Sequence, residues 1–145
     1  ASWDESLEID KNIQDGNTVF AKDYPEVYAN WLDLIRDKDL NNWDYRARIS
    51  GIRLTDKLLL VFVNGELVCD YSVYIKKKYP AWDIVTVGYT DGMVGYLATA
   101  EQLEDGGYEA DDFLYYFGLA GKFKPSIEKT IKQGLVEVID KLIKE

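Results

Sequence analysis

The sequence predicts an α/β fold: a mixed sheet of about three to five strands, built from an antiparallel hairpin and a βαβ crossover, with helices packed against it. Three observations predict it. Leu58–Val63 is an unbroken apolar run, the pattern of a central strand covered on both faces. Residues 67–79 carry Val68, Tyr71, Ser72, Ile75 and Tyr79 at helical spacing and lead into a second apolar run at Trp82–Tyr89. Ile127, Ile131, Leu135, Val138 and Leu142 form one stripe, which marks a core-facing helix opened by Pro125.

The elements follow in order. Residues 1–23 are polar and weakly periodic, a lead-in segment with a short strand at Asn17–Phe20; residues 24–145 form a single α/β domain. Pro25 and Glu26 open a helix, with Val27, Trp31, Leu34 and Lys38 on one face. Asp39–Asp44 is a polar break. Tyr45–Leu54 alternates as a half-buried strand, and Gly51 marks a bulge where the phase slips. Thr55-Asp56-Lys57 turns the chain into Leu58–Val63, making a hairpin. Residues 67–79 form a helix stopped by Pro80, and Lys76-Lys77-Lys78 sits in its last turn, where cations complement the dipole. Ala98–Leu103 is a short helix, followed by Gly106-Gly107 with positive φ. Asp111–Lys122, with the aromatic run Phe113–Phe117, fits an edge strand, a helical turn or a partner-facing loop.

A chain of 145 residues suits one domain with one core. Its formal net charge of −9 repels phosphate backbones and acidic membrane surfaces, so nucleic acid is not an expected partner. Without an apolar stretch of membrane length, no membrane span is expected. The one cysteine, Cys69, lies on an apolar stretch and reads as a buried inert thiol. The start, Ala1-Ser2-Trp3, lacks an initiator Met and a signal-peptide pattern, and reads as an internal or processed start within a longer product.

There is no histidine, which removes Ser-His-Asp and Cys-His chemistry, and no phosphate loop. Asp111-Asp112 reads as a solvated pair. What remains lies beyond two strand ends, where open α/β sheets place their ligands. Asn64-Gly65-Glu66 follows the first apolar strand. Asp91-Gly92-Met93-Val94-Gly95-Tyr96-Leu97-Ala98-Thr99 follows the second, and Gly106-Gly107-Tyr108-Glu109 comes next. Glu66, at a strand-to-helix turn, is either a helix cap or a metal ligand. Tyr96, behind Gly95, either packs under the turn or uses its phenol to hydrogen-bond, stabilise an oxyanion or bind a metal.

These motifs resemble the C-terminal part of the catalytic region of the neutral/alkaline (non-lysosomal) ceramidases, in their bacterial branch. That family shows Pro-Gly-Glu after a hydrophobic strand, a helix ending in basic residues, then Asn-x-x-x-Gly-Tyr-x-Pro-Thr and Gly-Gly-Tyr-Glu. The order agrees from about Tyr24 to the end, with Asn64, Asp91 and Ala98 as departures. The resemblance implies a zinc-dependent amide hydrolase with Glu66 and Tyr96 as metal ligands and Tyr96 also as a catalytic group. It further implies two zinc histidines, absent here, from the N-terminal remainder of the same protein or a partner chain. A lipid amide substrate and a secreted or periplasmic location follow from the resemblance alone. Zn2+ is expected only with that remainder, and the isolated chain is expected to be inactive.

Two other functions compete. The chain could be a free-standing, non-catalytic binding domain that keeps only the scaffold, with Phe113–Phe117 as its contact surface. It could also be an enzyme using carboxylates alone, which requires a facing acid pair that the sequence does not offer.

Overall fold

The computed structural model describes residues 7–8, 19–36 and 46–144, with backbone only at 7–8 and 19–20. In order, these form β1 (Leu7–Glu8), α1 (Val19–Asp23), α2 (Pro25–Arg36), β2 (Ile49–Arg53), β3 (Leu58–Val63), β4 (Glu66–Leu67), α3 (Cys69–Lys78), β5 (Asp83–Val87), β6 (Tyr96–Leu97), α4 (Ala100–Asp105), a π-helical turn (Tyr108–Asp112), α5 (Phe113–Phe117), β7 (Lys122–Phe123) and α6 (Ile127–Lys144). This is the α/β class, with a mixed three-stranded sheet at its centre.

The sheet order is β2-β3-β5. β2 and β3 form the antiparallel hairpin, and β3 pairs parallel with β5 after the α3 crossover. Two-residue ladders join β1 to β7 and β4 to β6. In β3 the alternate residues Leu59, Val61 and Val63 are fully buried, while Leu58, Leu60 and Phe62 are only half-buried. α6 crosses the buried face, and its Ile127, Ile131, Leu135, Ile139 and Leu142 close the core with Tyr71 and Ile75 of α3. Two buried ties fix the periphery: Trp31 Nε1 donates to the Leu119 carbonyl at 2.6 Å, and Tyr71 Oη donates to the Ala98 carbonyl at 2.8 Å.

Several expectations change. The strand expected at Asn17–Phe20 meets a helix at Val19–Phe20; its first two residues lie outside the described set, as do Lys38 and the 39–44 break. Leu34 is exposed, because the buried stripe of α2 runs through Trp31 and Ile35, an i,i+4 pair. Gly51 makes no bulge: the β2–β3 register is continuous from Ile49↔Val63 to Arg53↔Leu59. Glycine stands there because α6 lies directly on the strand. An added Cβ would meet Leu142 Cδ1 at 2.7 Å and Val138 Cγ1 at 3.1 Å. Cys69 is exposed, since it falls on the far side of α3 from Tyr71 and Ile75.

Asp111 and Asp112 are half-buried rather than solvated. The π turn tucks them inward, where Asp111 pairs with Lys122 at 2.7 Å. Burial, then the neighbouring Asp111 charge, raises the Asp112 carboxyl above its ordinary range. The aromatic run is the helix α5, with Phe113, Leu114 and Tyr115 in the core and only Tyr116 and Phe117 exposed. As expected, Lys76-Lys77-Lys78 closes α3, and Gly106 and Gly107 take φ of 79° and 105°.

Candidate functional site

The parallel pair β3–β5 continues, past two loops, into the parallel pair β4–β6. Main-chain bonds lace the loops together. Tyr89 N–H donates to Gly65 O at 3.2 Å, Thr90 N–H to Val63 O at 3.2 Å, Val94 N–H to Asn64 O at 2.8 Å, and Glu66 N–H to Gly95 O at 2.9 Å. The approach is so close that a Cβ on Gly88 would lie 2.9 Å from the Gly65 carbonyl oxygen. Gly95 takes φ 112°, open to glycine, just before Tyr96.

This lacing makes Glu66 and Tyr96 register partners in the β4–β6 ladder. The Glu66 carboxylate acts on the phenols of both Tyr96 and Tyr89, favouring their protonated forms. The accepting Glu66 carboxylate, then burial, push the Tyr96 phenol up to about 12. Glu66 raises Tyr89 in the same way. The Tyr96 ring is held edge-on by Tyr108 and by Phe113, each at 5.5 Å between centroids. Glu66 is not the cap of α3: it lies in β4, and the residue at the helix start is Val68.

The departures from the ceramidase pattern have local tasks. Asn64 is buried; its Oδ1 accepts from the Arg48 N–H at 2.6 Å and its Nδ2 donates to the Arg46 carbonyl at 3.2 Å. Asp91, at φ 55°, pairs with the Arg48 guanidinium at 2.7 Å on the surface. Ala98 is buried, and its carbonyl accepts from Tyr71 Oη at 2.8 Å just before Thr99 starts α4 through a capping box with Gln102.

Sequence reasoning named Glu66 and Tyr96 but missed Tyr89. Its signal was present in Gly88-Tyr89 straight after a strand. What was not visible is that Tyr89 holds φ 59°, in the loop laced to Gly65 beside Glu66, whose carboxylate raises its phenol. Tyr108 meets the site through its ring, and Glu109 is exposed on the π turn.

The donor set is oxygen only: one carboxylate with two phenols. Among the described residues no group of three His, Cys, Asp or Glu side chains could hold a metal ion. Glu66 and Tyr96 therefore fit half of a four-ligand zinc site and no more. A separate groove of about 480 Å³ lies between α3 and α6, lined by Tyr74, Lys78, Lys129 and Lys132 among others, and includes none of the site residues. There Lys132 pairs with Glu128 and lies 4.8 Å from the Tyr74 ring centroid. No described helix is long and apolar enough to cross a membrane. Comparison with known proteins finds no matching family model, no matching curated protein and no matching solved structure.

Proposed function

We propose that the chain is the C-terminal portion of a ceramidase-like, zinc-dependent hydrolase of linear lipid amides. The observation that supports this is the pairing of Glu66 with Tyr96 across the β4–β6 ladder, since these are the two residues that the resemblance assigns to the metal. Glu66 supplies the anionic oxygen and Tyr96 the phenolic one; two imidazoles come from the N-terminal remainder or a partner chain. Bound zinc supplies Lewis-acid polarisation of the amide carbonyl and activation of water. The chain's own part is positional. The laced loops hold Glu66 and Tyr96 in register as neighbours, and Tyr108 and Phe113 flank the Tyr96 ring. A phenol so held points a donor at a developing oxyanion.

The test expresses the longer reading frame that contains this chain and measures zinc content and amide hydrolysis. Glu66→Gln and Tyr96→Phe are expected to lose most bound zinc and at least about a hundredfold in activity. Unchanged zinc and activity in both variants refute the assignment.

One observation favours a second reading, a free-standing non-catalytic binding domain: the site's donors are oxygens only, one carboxylate with phenols beside it, a set poor in the nitrogen and sulfur ligands that zinc favours. That reading expects a stable monomer whose tyrosine resonances ignore added zinc, both alone and with the remainder present.

A further inference from the structure

The groove between α3 and α6 has a charge opposite to that of the chain. The chain carries a formal net charge of −9. Lys78, Lys129 and Lys132 line the groove with a single carboxylate, Glu128, and three lysines against one glutamate leave a formal local charge of +2. Tyr74 is half-buried against the core and supplies, with Pro125 and Val136, an apolar part of the lining. Lys132 is held in place rather than loose on the surface. Its ammonium pairs with Glu128 Oε1 and lies 4.8 Å from the Tyr74 ring centroid, and its side chain is only 32% exposed. The other Glu128 oxygen accepts from the Ala100 N–H at 2.8 Å, so the carboxylate is fixed as well. An ammonium has three donors, and the one given to Glu128 leaves others for an anion in the groove. Lys78 and Lys129 are exposed, and neither pairs with a carboxylate among the described residues.

We propose that this groove binds a small phosphate monoester that carries a flat ring. Three features select that class. The volume of about 480 Å³ suits a small organic molecule. The local charge of +2 matches a phosphate monoester, which carries about −1.5 to −2 near neutral pH, and Lys is a point-charge phosphate binder; a monocarboxylate leaves about half of that charge unanswered. Tyr74, Pro125 and Val136 give the ring an apolar surface to lie on. A polyanion is disfavoured, because its further phosphates meet the rest of an acidic surface, whereas charges more than about 10 Å from a small ligand are screened at ordinary salt. No residue of the groove belongs to the Glu66–Tyr96 pair, so the site stands whether or not zinc binds there.

The test titrates phenyl phosphate, inorganic phosphate and phenol into the chain by calorimetry at about 0.1 M salt. Phenyl phosphate is expected to fill one site with Kd below about 1 mM, and the other two to bind at least about tenfold more weakly. The Tyr74 ring resonances of a 13C-tyrosine-labelled sample are expected to shift along the same isotherm. Lys78→Gln/Lys129→Gln changes only exposed side chains and is expected to weaken phenyl phosphate at least about tenfold. Lys57→Gln/Lys141→Gln removes the same charge from exposed positions outside the groove and is expected to leave Kd within about twofold. Tyr74→Leu is expected to bring phenyl phosphate down to the affinity of inorganic phosphate. Titrations that do not saturate overturn the proposal. So does full affinity in Lys78→Gln/Lys129→Gln, or an equal loss in the two double variants, which means that the net charge of the chain and not the groove is sensed. Inorganic phosphate bound as tightly as phenyl phosphate overturns it too, because the ring then has no part in recognition.

Discussion

Tyr96 and Glu66 are register partners in a two-residue parallel ladder, and the Glu66 carboxylate holds the proton on Tyr96. Its folded value of about 12 lies above the ordinary 10.0, so the protonated form is the favoured one. The stabilisation is complete below pH 10.0 and disappears as pH rises through about 12. Glu66→Gln removes the charge, and the Tyr96 value is then expected to fall toward 10.0. Titration of the tyrosine Cζ resonances in a 13C-labelled sample checks this; a Tyr96 midpoint unmoved by Glu66→Gln refutes the contact.

Glu128 works in the opposite direction. Its carboxylate accepts from Lys132 and from the Ala100 N–H at 2.8 Å, which ties α6 to the first turn of α4. The Lys132 hydrogen bond, then the Ala100 N–H, lower its carboxyl below the ordinary 4.5. Its contribution is present above pH 4.5 and is lost as pH falls through the folded value. Glu128→Gln is expected to cost about 1.5 kcal/mol at neutral pH and to flatten the acid limb of stability. Urea melts at neutral and acidic pH measure both effects; parallel loss at both pH values sinks the claim.

Gly51 sits under α6 with no room for a side chain. Valine, a good strand former, is expected to destabilise here by about 2 kcal/mol, because it overpacks against Leu142 and Val138. A thermal melt decides it. A Gly51→Val protein as stable as wild type would mean that α6 does not rest on β2.

Periodicity made most of the scaffold legible. The α6 stripe, the hairpin and the β3–α3–β5 crossover are local patterns and formed as the spacing implied, except that Ile139 rather than Val138 is the buried member of the stripe. What escaped was set by contacts remote in sequence. Gly51 reads as a bulge until α6 is laid on it. Leu34 and Ile35 compete for one helix face, and the Trp31 tie to Leu119 decides between them. Cys69 sits among apolar neighbours, yet its helix turns it outward. Glu66 and Tyr96 were readable as candidates from glycine-rich strand ends. That they are register partners depends on the lacing of two loops, which no single segment encodes. Tyr89 was missed for a similar reason, since its role depends on a backbone angle rather than a residue type.

That angle carries a standing load. A bulky L-residue in the left-handed region costs on the order of 1–3 kcal/mol, and Tyr89 holds φ 59°. Glycine would relieve it, so Tyr89→Gly is expected to raise the melting temperature while deleting the second phenol at Glu66. A lowered melting temperature would show that the phenol, not the backbone, dominates there. Backbone strain and the side chain's place beside Glu66 therefore pull in opposite directions at this one position.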